Sequence, residues 1–236
     1  MDEDRSPTKL EYYDDMFKLQ STATLLSSFL VRGGQPSDKG YISNPQFKFI
    51  VEDVRSKDKI VYHYGHFENS LDVSIEKGAQ VSLSVDEDRR RLNSRLHSAG
   101  HLLDICVRNV GWVHLEPTKG HHFPDGPFVE YKGVVPQNEL QSKQKELELE
   151  ASSLISKGGK VSVSILPYDK ASELCGGSLP DYIPKDSTPR IVQLGENPGC
   201  PCGGTHVSDI NEILSLKVSQ IRTRKGLTKV FYSVVG

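Results

Sequence analysis

A chain of 236 residues holds enough material for one large domain or two small ones around a hydrophobic core. Hydrophobic content of 36% and charged content of 25%, with no apolar run as long as a membrane helix, exclude a membrane partner. A net charge of −2 excludes a chain basic all over, and four cysteines are too few for a disulfide scaffold. The opening Met1-Asp2-Glu3-Asp4-Arg5 has neither the apolar core of a signal peptide nor transit-peptide character, so a cytoplasmic location is expected. Nothing in the sequence points to a protein partner.

Residues 1–8 read as a polar, disordered lead. From Leu10 the pattern is short and β-like, with strands expected at Ala23–Val31, Phe47–Val54, Lys59–Tyr64 and Gln80–Val85. Gly, Pro, Asn and Asp clusters lie between them, as in a small barrel or sandwich. The stretch Gly33-Gly34-Gln35-Pro36-Ser37-Asp38-Lys39-Gly40 permits unusual backbone angles and reads by itself as a turn. Leu92, Leu96, Ala99, Leu103 and Val107 then recur at helical spacing, which predicts an amphipathic helix of roughly six turns from Asp86 to Gly111. Acids at Asp86, Glu87 and Asp88 suit its N-terminal dipole.

Leu115–Gly126 reads as a loop rich in Pro and Gly that carries His121 and His122, with His114 just before it. These histidines lack paired ligand spacing and are ranked as substrate-side or structural. Phe128–Val135 is expected as a strand. Asn138 and Gln141 are expected to form a capping box opening a second helix, which Gly158 and Gly159 close. Val161–Leu166 and Arg190–Leu194 read as strands, and Ile213–Ile221 with Leu227–Val235 as a closing hairpin. The whole is α+β, divided near residue 85, with helices packed on an antiparallel sheet in the second part.

His97 and His101 lie four apart, so they project from one side of the first helix and can grip one metal ion. Cys202-Gly203-Gly204-Thr205-His206 places a thiolate and an imidazole at the same spacing far downstream. With eight His and four Cys, an HxxxH together with a CxxxH arises by chance in about 0.04 of such chains. The two pairs therefore stand as a ligand set. Three imidazoles and a thiolate suit Zn2+. Four protein ligands make a closed structural site, whereas catalysis wants an open position, and the sequence leaves both readings in place. Cys175-Gly176-Gly177 lacks the following Thr and His and is set aside. Arg222, Arg224 and Lys225 lie in a stretch free of acids and read either as a solvated strand face or as phosphate contacts.

His97-Ser98-Ala99-Gly100-His101 followed by Cys202-Gly203-Gly204-Thr205-His206 resembles the zinc signature of the alanyl-tRNA editing domain. That domain occurs inside alanyl-tRNA synthetase and in freestanding AlaX proteins. Leu10–Asp15 resembles its opening strand, and Gly33–Gly40 the glycine motif of the longer AlaX forms, although Arg32 stands where a first glycine is usual. Gly120–Gly126 and the final strand also fit, so the resemblance covers nearly the whole chain.

The resemblance implies a small β-barrel-like glycine-motif domain at 1–85 and a zinc-dependent editing domain at 86–236. It implies hydrolysis of the ester in mischarged tRNA(Ala), with Ser-tRNA(Ala) and Gly-tRNA(Ala) as substrates. His97, His101, Cys202 and His206 would hold the Zn2+ and organise catalysis. Gly33, Gly34, Gln35, Gly100 and Thr205 would line the substrate, and Arg222, Arg224 and Lys225 would contact the tRNA backbone. Gln35 and Thr205 read equally as turn-stabilising side chains. Gly100 stands where the family often carries a threonine. Two other readings share these ligands: a zinc-stabilised protein that binds aminoacyl-tRNA without turnover, and a deacylase of another mischarged tRNA.

Overall fold

A computed structural model describes residues 7–24, 35–57, 60–68 and 78–235. The chain divides into two compact units, residues 1–92 and 93–236. Gly33 and Gly34 lie outside the described residues, as does most of the expected Ala23–Val31 strand.

The first unit is an antiparallel sheet of β1 (Gln20–Thr24), β2 (Gly40–Ser43), β3 (Lys48–Lys57), β4 (Ile60–Phe67) and β5 (Gln80–Val85), in the order β1-β5-β2-β3-β4. Among the described residues this sheet is open, with β1 and β4 at its edges, where a barrel was expected. Ile42, Val51 and Val81 alternate inward to form its small core. Sequence reading left β2 unassigned because it begins at a glycine. Gly40 is needed there: at φ +149° a Cβ would stand 2.0 Å from Ser84 O of the neighbouring strand. Glu11–Tyr13 form a single 3-10 turn, not an opening strand.

The helix α1 (Glu87–Asn109) begins one residue inside the expected start, with Asp86 Oδ1 accepting the Arg89 N–H at 3.0 Å as a cap. The division between the two units falls within α1. Its first turn is tied to the first unit, where the Arg90 guanidinium grips both oxygens of Asp38 at 2.8 and 2.7 Å. Arg90 is nearly buried, so this forked pair is far better shielded than a surface one.

The second unit has a four-stranded antiparallel sheet, β11-β12-β7-β6, and a three-stranded one, β10-β9-β8. Their strands are β6 (Glu116–His121), β7 (Phe128–Lys132), β8 (Val161–Ile165), β9 (Arg190–Leu194), β10 (Cys200–Pro201), β11 (Lys217–Arg224) and β12 (Leu227–Ser233). Two further helices are α2 (Leu140–Lys157) and α3 (Tyr168–Leu174). Leu96, Ala99, Leu102, Leu103 and Val107 of α1 enter one core with Tyr131, Leu147, Val192 and Val230. Each fully buried leucine contributes about 1.5–3 kcal/mol relative to exposure, which is what seats α1.

Three local readings change. Residues 116–121 form a strand despite Pro117 because β6 is the sheet edge, where a missing N–H costs nothing. The capping box at Asn138 and Gln141 does not form: Glu139 is the cap, without a side-chain bond, and its N–H is drawn into a turn with Pro136 O. Finally, α3 went unread. Helix α2 packs on β11 where the ladder slips between Val218 and Gln220. The Val218 N–H and C=O are taken there by Glu148 and Gln144. No helix among the described residues is long and apolar enough to cross a membrane.

Candidate metal centre

His97 and His101 stand one turn apart on α1 with rings stacked at 5.1 Å. After β9 and β10 the chain turns through Cys202–His206 and returns over the same helix face. Two serines of α1 receive it. Ser94 Oγ donates to Thr205 Oγ1 at 2.9 Å, and Ser98 Oγ accepts the Val207 N–H at 3.1 Å. Ser94 and Ser98 are themselves four apart, so the helix presents two histidines and two hydroxyls to one loop. From the other side Arg190 Nη1 donates to Cys202 O at 2.6 Å and Gly204 O at 3.1 Å. A buried guanidinium thus clamps the turn that carries the thiol.

The result brings four ligand atoms, one each from His97, His101, Cys202 and His206, within 4.8 Å of one another. Cys202 Sγ lies 3.3 Å from both His97 Nε2 and His206 Nε2. His101 Nε2 is buried without a hydrogen-bond partner, an atom that a metal would satisfy. The second nitrogens are held as metal ligands require: His206 Nδ1 is 3.2 Å from Ser98 Oγ, and His101 Nδ1 is 2.9 Å from Cys200 Sγ. Cys200, two residues before the CxxxH pair, had no part in the expected ligand set. His101 and Cys202 keep some exposure, while His97 and His206 are buried.

Burial disfavours charge on each imidazole. It holds His101 down at about 4, and it takes His97 and His206 well below the ordinary histidine range, with help from one another's positive forms. Burial also raises the Cys202 thiol, against the pull of the Gly204 N–H and Arg190. Three neutral nitrogen donors and one thiol are therefore placed to hold a metal ion.

The remaining expected residues fall out as follows. Thr205 is buried and bonded to Ser94. Gly100 faces not open space but the ring of His122. Gln35 is in the first unit. Arg222 and Arg224 are exposed on β11, and Lys225 begins the Lys225–Gly226 turn with both residues at positive φ. Cys175 ends α3, outside the cluster.

His122 was missed as part of the centre. It is buried, and its ring lies 4.4 Å from that of His97. The one available signal was strand alternation, which sends His121 outward and His122 inward once 116–121 is read as a strand.

Part of this chain, 187 residues or 79% of it, is 30% identical to the alanyl-tRNA editing protein AlaX-L of Pyrococcus horikoshii. Over 96% of the chain it is 26% identical to the alanine–tRNA ligase of Methanosarcina acetivorans, and over 79% it is 30% identical to that of Petrotoga mobilis. The chain is thus similar to an alanyl-tRNA editing protein and to segments of alanine–tRNA ligases. It spans 44% of the AlaX-L protein and 26% and 21% of the two ligases. No protein-family model matches the chain. The two HxxxH and CxxxH pairs by which the family resemblance was first read are the ones that fold into the cluster.

Proposed function

We propose that this protein is a zinc-dependent hydrolase that deacylates mischarged tRNA(Ala), with Ser-tRNA(Ala) and Gly-tRNA(Ala) as substrates. The observation that carries the proposal is the cluster of His97, His101, Cys202 and His206 in a chain similar to an alanyl-tRNA editing protein. A zinc ion bound there would act as a Lewis acid on the ester carbonyl. The chain's own residues supply a preorganised, neutral donor set: Ser98 and Cys200 orient two imidazoles, and Arg190 fixes the thiol's loop.

The need for such an activity is physical. A synthetase pocket made for alanine cannot exclude glycine, and it rejects serine only modestly, so a second hydrolytic sieve is required. Deacylation rates on Ser-, Gly- and Ala-tRNA(Ala) test the reading. Serine and glycine esters should be cleaved and the alanine ester largely spared. Equal rates on serine and alanine would refute editing. Binding of charged tRNA without turnover would mean a zinc-stabilised binding protein, and turnover confined to another mischarged tRNA would reassign the substrate.

Arg222, Arg224 and Lys225 are proposed to meet the tRNA backbone. Arg222 and Arg224 project from the exposed side of β11, and Arg222 lies 5.4 Å from the Phe231 ring, a contact that holds its head in place. Each lost phosphate contact should weaken binding and flatten its salt dependence by about one unit of slope. The triple alanine variant should therefore bind tRNA with a slope shallower by about three units. Unchanged affinity and slope would leave these residues a solvated face.

A further inference from the structure

The ring of His122 fills a slot left open by two glycines. A Cβ at Gly100 would stand 2.3 Å from His122 Cε1, and one at Gly120 would stand 2.3 Å from His122 Nε2. Neither position accepts a side chain while the ring stays where it is. One face of the ring lies against His97, 4.4 Å between centroids and 24° between planes. Its rotation is set by Tyr232. The Tyr232 hydroxyl donates its single proton to Leu96 O at 2.8 Å, so towards His122 Nδ1, at 2.7 Å, it accepts. That makes Nδ1 the protonated nitrogen, and it pins the imidazole to a buried tyrosine on β12.

We propose that His122 is a positioning residue for His97, a wedge that holds the His97 imidazole with Nε2 turned to Cys202 Sγ. The inference rests on reading the four clustered side chains as a metal site. The torsion that spins an imidazole is broad, so a ligand left unsupported is ordered only when the metal binds, at a cost in affinity. Ser98 and Cys200 restrain His206 and His101 by hydrogen bonds. For His97 the stacked ring of His122 adds a planar wall, and Gly100 and Gly120 are the residues that make room for it.

The test uses the full chain loaded with Co2+, whose visible absorption reports ligand geometry, together with zinc affinity by competition titration. His122→Asn removes the ring while keeping a donor for Tyr232, Gly100→Ala pushes the ring aside, and His122→Phe keeps a flat ring without the donor. His122→Asn and Gly100→Ala should alter the Co2+ spectrum and weaken zinc binding about tenfold or more, the range found for residues that orient metal ligands. His122→Phe should restore most of both. A wild-type spectrum and affinity in His122→Asn would overturn the proposal, as would a His122→Phe protein no better than His122→Asn. If His122→Asn does not fold, Gly100→Ala against His122→Phe decides in the same way. Wild-type protein that binds neither Co2+ nor Zn2+ would refute the metal-site reading itself and this inference with it, an outcome distinct from intact binding that ignores His122.

Discussion

Replacing His97 and His101 together with alanine will abolish stoichiometric metal binding and bring deacylation of Ser-tRNA(Ala) to background. The pair supplies half of the clustered donors from a single helix, and the other half, Cys202 and His206, sits on a loop. Two ligands on a turn form an incomplete site for an ion that prefers four in a tetrahedron. The variant will also lose metal-dependent stability. An ion at a thousandfold excess over its Kd stabilises the folded state by about 4 kcal/mol. For a protein of this size that is a rise in Tm of roughly 10 °C, visible in wild type and missing in the variant. Elemental analysis and paired melting curves with and without chelator check this directly. Full zinc retention by the double variant would sink the ligand assignment.

How far the site could be read in advance depended on the kind of signal each residue leaves. His97 and His101 announce themselves by spacing on a strongly periodic helix, as Cys202 and His206 do by spacing on a glycine turn. Ser94 and Ser98 have the same four-residue relation, yet serines on helices are common and carry no mark of a ligand shell. Arg190 lies twelve residues before the thiol and meets it only because β9 and β10 pair antiparallel. His122 was hidden by Pro117 and Gly120, which signal a loop; only the sheet-edge position of β6 allows them in a strand.

The fold followed the same rule. Long periodic elements such as α1 and β5 were legible to within a residue or two at each end. Elements whose existence depends on a neighbour were not. Strand β2 forms because β3 and β5 flank it, with Gly40 letting the Ser84 carbonyl approach. The capping box had the right residues at Asn138 and Gln141, but the turn from Pro136 to Glu139 took that stretch of backbone first. Gly100 shows the reverse case. It was expected among the residues lining the substrate, where the family often carries a threonine, and it leaves the space in which the His122 ring sits.

Zinc affinity will rise about tenfold for each unit of pH between about pH 5 and 8, roughly a thousandfold across the range. The slope follows from the sign of each shift. Burial holds the His101 pKa down at about 4 and takes those of His97 and His206 well below the ordinary value, so the neutral form of all three imidazoles is favoured, most fully in the upper part of the window. There they offer no protons for a metal to displace. Burial moves the Cys202 thiol the other way, above its ordinary value, so the metal-free protein carries that proton up to and beyond pH 8. Each ion bound as a thiolate complex must therefore expel one proton, and the affinity gains one power of ten per unit. Imidazoles of ordinary pKa would steepen the acid side, since below about pH 6.5 each would add a further proton to the exchange. Competition titrations across the window, with proton release measured in weakly buffered solution, give the slope. A flat profile would remove Cys202 from the ligand set. A slope of two would mean that a second group gives up a proton, and the nearest thiol is Cys200, held 2.9 Å from His101 Nδ1 and likewise raised by burial. Cys200→Ser would then return the slope to one.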